Sequence, residues 1–209
     1  MGELARVLWA VSETVVEATE ELNRLDGLAG DGDLGLTMAA AARALQPVLA
    51  ERENEEAAGL LRQCGSEIAR KAPSTSGTLV ATGFLRAATE LGGVGESERD
   101  VVLLARAVAA ATEGIRARGK ASPGDKTMLD ALVPVTERFQ QAADGGEELA
   151  AALNDAAQVA AQATEATAAM LPQIGRASWM ADRSAGHPDA GCRLITIALT
   201  AAARAAGRA

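Results

Sequence analysis

The stretch Leu25-Asp26-Gly27-Leu28-Ala29-Gly30-Asp31-Gly32-Asp33-Leu34-Gly35-Leu36-Thr37 decides the reading of this chain. Asp26, Asp31 and Asp33 fall within eight residues, with no Lys or Arg among them. At separations near 5 Å and an effective dielectric of about 20, each carboxylate pair repels by roughly 3 kcal/mol. Such a cluster is either splayed into water or holds a cation. Hard oxygen donors without Cys or His favour Mg²⁺ or Ca²⁺ over zinc. An EF-hand opening at Asp31 would need Glu at its twelfth position, where Ala42 stands, so that reading fails. The glycines permit tight turns, and the Ala-rich residues 35–46 read as a helix. A Gly-rich turn at a helix N-terminus exposes N–H groups to a phosphate. Carboxylates beside such a terminus suit a Mg²⁺–phosphate site, and a solvated acidic turn is the competing reading.

Working outward, 48% of the residues are hydrophobic but only 2% aromatic, and there is no Tyr. That composition favours helices packed through small side chains over a β-branched, aromatic sheet core. A net charge of −8 argues against nucleic acid and anionic membrane as partners. No apolar run reaches membrane-spanning length and the start lacks a leader pattern, so a cytoplasmic protein is expected. Cys64 and Cys192 form no CxxC pair and read as inert thiols of a reducing compartment.

Periodicity predicts eight helices, over about 3–23, 35–46, 55–71, 75–91, 97–118, 127–142, 147–170 and 191–207. Pro47 and Pro73 are expected to stop the second and third, and Pro134 to kink the sixth or delay its start. Ser74 is a good N-cap, and Ser97-Glu-Arg-Asp100 resembles a capping box. No long linker or repeat appears, so residues 1–209 are expected to form a single domain. With short links, consecutive helices run antiparallel, and alternate links share one end. The odd links carry the polar motifs: Asp26–Thr37, Ala72–Gly77, Gly119–Lys126 and Gly175–Gly191. All four are expected on one rim.

Ser74, Thr75, Ser76 and Gly77 offer hydroxyl and N–H donors that either cradle phosphate or simply cap a helix. Gly114 to Ala121 approaches a Walker A pattern but has Ala121 where Ser or Thr must reach Mg²⁺, and follows a helix rather than a strand. In Pro123-Gly124-Asp125-Lys126, Asp125 can orient or cap. Lys126 is either a point charge for an anion or half of a structural salt bridge. The 175–191 loop is longer than a compact domain usually carries without a function. Its Arg176 and Arg183 suit an anion or a nearby Asp. His187, the sole histidine, reads as a loop anchor ahead of a general base.

Together, LDGLAGDGDLGLT, STSGTLVATGF, RGKASPGDKTMLD and GRASWMADRSAGHPDAG resemble the nucleotide-binding L subunit of dihydroxyacetone kinases and the matching domain of the single-chain enzymes. The resemblance implies an all-α fold, a closed up-and-down barrel of eight antiparallel helices with the nucleotide at one rim. It implies that Asp26, Asp31 and Asp33 bind two Mg²⁺ ions against the phosphates of ADP or ATP. Leu34, Gly35, Leu36 and Thr37, with Thr75 and Ser76, fall on phosphate-contacting positions. Gly119, Met128, Arg176, Asp189, Ala190 and Gly191 fall on nucleotide-contacting positions. Leu34 replaces a His common in the family, Thr37 an amide side chain, and Ala190 a proline. By the same resemblance, the chain transfers a phosphoryl group to a triose held on a dihydroxyacetone-binding K subunit. The donor is then either exchangeable ATP or bound ADP recharged by a phosphotransferase-system protein, and a stand-alone L chain fits the second more often. The nucleotide domain of a fatty-acid kinase and a non-catalytic Mg²⁺–nucleotide regulatory module are the alternatives. A homodimer stays open.

Overall fold

The computed structural model describes residues 2–52, 55–94, 98–175, 178 and 181–207. Among these residues every regular element is helical. The helices are α1 (Glu3–Glu17), α2 (Thr19–Asp26), α3 (Leu34–Glu51), α4 (Ala57–Lys71), α5 (Thr75–Leu91), α6 (Asp100–Gly119), α7 (Leu129–Gly145), α8 (Leu149–Ala166), α9 (Ala181–Ser184) and α10 (Ala190–Ala206). A 3₁₀ turn, Thr167–Ala169, continues α8.

The eight long helices form a closed ring. Each packs on its neighbour in chain order from α1 and α3 through α8 and α10, and α10 returns to α1. This is the expected up-and-down barrel. Alanine makes the close approach possible. At the end away from the acidic loop, Ala142, Ala152, Ala156 and Ala203 pack around the fully buried Phe139. At the opposite end Val15, Leu22, Leu25, Leu34, Met38 and Leu194 close the core. Cys64 and Cys192 are both free and buried, and burial pushes the Cys64 thiol up to about 12.

The helix limits depart from the expected ones at several points. The first helix is broken at Ala18, whose φ of −82° and ψ of 6° leave the helical region. There the Thr19 hydroxyl donates to the Val16 carbonyl at 2.6 Å, a local bond that competes with the helical ladder. Pro47 does not stop α3, which runs on to Glu51. Its ring sits on the exposed face, one turn from the equally exposed Arg43, whose carbonyl loses its helical donor. A mid-helix proline costs about 3 kcal/mol, and burial of Leu45 and Leu49 on the opposite face returns roughly 2 kcal/mol each. Pro134 likewise lies inside α7, which starts at Leu129. The helix expected over 147–170 is α8 followed by the 3₁₀ turn. Helix α6 starts at Asp100 with Arg99 as its N-cap, and Ser97 lies outside the described residues.

Candidate functional site

The acidic loop connects the end of α2 to the start of α3, and Asp26 organises it. Its Oδ2 accepts the backbone N–H groups of Gly32, Asp33 and Leu34 at 2.9, 3.0 and 3.3 Å. Asn23, one turn earlier, accepts the Leu36 N–H at 3.1 Å through Oδ1. Two α2 side chains therefore satisfy orphan donors of α3. The sequence reading missed Asn23, whose only signal was a capping side chain placed thirteen residues before its partner. Gly35 is required by packing: a Cβ there would fall inside the van der Waals shell of the Thr19 carbonyl oxygen and 2.8 Å from Asn23 Oδ1.

With the loop so folded, one carboxylate oxygen each from Asp26, Asp31 and Asp33 lie within 4.8 Å of one another. Asp31 and Asp33 are exposed and Asp26 is partly buried. Three hard, anionic oxygens converging at a helix N-terminus match the donor chemistry of Mg²⁺ with phosphate. Leu34 points elsewhere. Its side chain is 6% exposed and packs with Leu22, Leu25 and Met38, so the residue serves the core. Leu36, by contrast, is 61% exposed on the rim.

The other odd links gather at the same end. A cleft of about 50 Å³ is lined by Asp26 and Leu28 of the first, Lys126 of the third, and Ser184, His187 and Asp189 of the last. The second link joins through α5. Val80 packs into the Leu34–Met38 cluster and Leu79 against Met128, which sets Thr75 and Ser76 at this end. Ser74 Oγ accepts the Gly77 N–H at 3.0 Å and lies 3.1 Å from Ser76 Oγ. Capping and hydroxyl display thus coexist, with Thr75 exposed.

The 119–130 region is tightly tied. Gly119 ends α6 against Leu79. Asp125 Oδ2 accepts the Ser122 N–H at 2.7 Å, the expected turn role. Asp130 accepts from Gly124 and Thr127 at 2.5 and 2.8 Å. Met128 is buried, and a Cβ on Gly191 would come within 3.1 Å of its Cβ, so α7 and α10 begin side by side. Cys192 Sγ donates to the Thr127 carbonyl at 2.9 Å, and Asp189 Oδ1 caps α10 by accepting the Cys192 N–H at 2.7 Å. Enclosure pushes the Asp189 carboxyl up to about 6, opposed by the Cys192 N–H. Neither reading of Lys126 holds, because its ammonium turns inward onto main-chain carbonyls. His187 is exposed, and its N–H donates to the Ser184 carbonyl. Arg176 lies outside the described residues.

A closed ring of eight helices thus carries a triple-carboxylate loop at one rim. Residues 28–204 match the DAK2 domain, and the chain belongs to that family. Among its relatives is the D-erythrulose kinase of Mycolicibacterium smegmatis, 38% identical over 196 residues, 93% of this chain and 33% of that protein. The ADP-binding subunit DhaL of the PEP-dependent dihydroxyacetone kinase of Escherichia coli is 32% identical over 190 residues, 90% of this chain and 89% of that one. The crystal structure of the dihydroxyacetone kinase of C. freundii in complex with AMP-PNP and Mg²⁺ superimposes with a TM-score of 0.73 at 25% identity, over 96% of this chain and 33% of that one. The chain thus spans about a third of the length of the erythrulose kinases it matches. No helix among the described residues is long and apolar enough to cross a membrane.

Proposed function

We propose that this chain, as one nucleotide-binding helical unit, carries a Mg²⁺-bound adenine nucleotide and passes a phosphoryl group to a short keto sugar held by a partner K subunit. The observation that carries this reading is the meeting of Asp26, Asp31 and Asp33 oxygens within 4.8 Å at the start of α3. Two Mg²⁺ ions held there would neutralise phosphate charge as it develops in transfer. Asp31 and Asp33 present their carboxylates outward, while Asp26 fixes the loop that aims them. Thr75 and Ser76 supply donors across the rim, and Gly35 to Thr37 supply the helix terminus. Gly119, Met128, Asp189, Ala190 and Gly191 form the flank on which the nucleoside rests, and Arg176 is the proposed nucleotide contact outside the described residues.

Two relatives matched over most of their own length are ADP-binding subunits named PEP-dependent, which favours bound ADP recharged by a phosphotransferase-system protein. The erythrulose, triose and dihydroxyacetone kinases among the relatives favour a keto-sugar acceptor over an acyl one. The test mixes the protein with Mg²⁺–ATP, a K subunit and dihydroxyacetone or erythrulose, and follows phosphorylated sugar. Product formed only when both subunits are present supports the reading, and ADP retained through gel filtration supports the recharged mode. Nucleotide binding without any turnover would leave a regulatory module as the better reading.

A further inference from the structure

Lys126 is one of two non-glycine residues with positive φ among the described residues, at +58°. A left-handed backbone strains a residue with a Cβ, and glycine would avoid that strain. Its side chain is also 5% exposed, although a long cation is rarely buried without partners. The partners are specific. The ammonium donates to the Met170 carbonyl at 3.1 Å and the Ser184 carbonyl at 2.8 Å, with Ser184 Oγ at 3.5 Å. Two carbonyls thus take protons of the ammonium at full hydrogen-bond distance, with the Ser184 hydroxyl at the margin, so the cation is committed to the main chain. Met170 caps the 3₁₀ turn after α8, and Ser184 ends α9. The cation thus sits where two helical segments end in carbonyls, and joins residues fourteen positions apart.

Two further bonds run parallel to this tie. The Gly186 N–H donates to the Ala168 carbonyl at 3.0 Å, and the Asp189 N–H to Thr167 Oγ1 at 2.8 Å. The turn 184–189 is therefore fastened to the end of α8 at three points, and Lys126 supplies the only side-chain cation among them. That turn forms one wall of the cleft whose other wall is Asp26.

We propose that Lys126 is a positioning residue: its buried ammonium fixes the 184–189 turn, and with it Asp189 and the start of α10, beside the acidic loop. It acts through the main chain and does not touch the nucleotide. The consequence for binding rests on the nucleotide reading above, whereas the tie itself can be tested without any ligand.

The test is hydrogen exchange on the full chain without nucleotide, paired with calorimetry of Mg²⁺–ADP. In Lys126→Met the amides of Gly186, His187 and Asp189 are expected to exchange about tenfold faster or more, the loss of roughly one charge-assisted hydrogen bond, while those around Phe139 keep their rates. The Kd for Mg²⁺–ADP is expected to rise by a similar factor at unchanged stoichiometry. Native rates at 186–189, acceleration of all amides together, or lost affinity with native rates would each overturn the inference, the last by making Lys126 a direct ligand. Should the methionine chain not fold, Lys126→Gln, with shorter N–H donors, is expected to give intermediate rates at the same amides, and unchanged rates there would overturn it equally. If the wild-type chain bound no Mg²⁺–ADP, the function proposed above would fail, and the exchange data would still decide the role of Lys126.

Discussion

Asp26 Oδ2 accepts the N–H of Leu34 at 3.3 Å, so the last residue of α2 is clipped to the first residue of α3. The same oxygen takes the N–H groups of Gly32 and Asp33, which aim the next two carboxylates. Under the proposed function Asp26 therefore serves folding as well as the metal, whereas Asp31 and Asp33 stand exposed at the mouth. Replacing Asp26 with Ala is expected to lower stability without ligand by about 2 kcal/mol, the worth of its charge-assisted bonds to main-chain donors. Denaturant unfolding reads this directly. A stability equal to wild type would mean that the three bonds do not hold the loop.

Asp31→Asn separates the two jobs. It removes one charge from a mutually repelling group and leaves the Asp26 bonds in place. Thermal stability without nucleotide is expected to hold or rise, while Mg²⁺-dependent ADP affinity falls by roughly tenfold or more. Calorimetry that finds the affinity unchanged would remove Asp31 from the site.

Gly35→Ala tests the packing of α3 on the break after α1. The new methyl would meet the Thr19 carbonyl oxygen, which is main chain and cannot swing away. A loss of about 1–3 kcal/mol is expected, with ADP binding weakened because the helix terminus must shift. A neutral result in thermal melts would contradict the close approach.

Asp189 makes stability depend on pH. Its carboxyl is pushed up to about 6 by enclosure, with Asp130 adding to the rise and the Cys192 N–H and Lys126 opposing it. The folded carboxyl holds its proton more tightly than the unfolded one. Its stabilising contribution is therefore complete below about pH 4 and lost as pH rises through about 6. Asp189→Asn keeps the capping oxygen and carries no charge. The variant is expected to melt above wild type at neutral pH, with the gap closing as the pH falls toward 4. A gap that widens on acidification would contradict the assignment.

The barrel was legible in the sequence because its signal is redundant: apolar spacing marks each helix, and short links leave little choice of direction. The same logic placed Asp26, Asp31 and Asp33 at one mouth with Lys126 and Asp189. What sequence could not give was the outcome of competition between local and tertiary terms. Pro47 reads as a stop until Leu45 and Leu49 are seen to be buried behind it. Ala18 carries no breaking signal, since the break follows from the Thr19 hydroxyl and the approach of Gly35. Lys126 looks like a ligand for an anion until its acceptors, 44 and 58 residues away, are known. Asn23 is an ordinary helix residue until the chain turns back on it.

Under the proposed function a divalent cation joins the three aspartates to the phosphates of a nucleotide. Titration calorimetry of ADP into the wild-type chain, with and without Mg²⁺, tests it most directly. Saturable binding of one ADP per chain in Mg²⁺, abolished by a chelator, is the predicted result. Equal affinity in the presence and absence of Mg²⁺, or no binding in either, would contradict it.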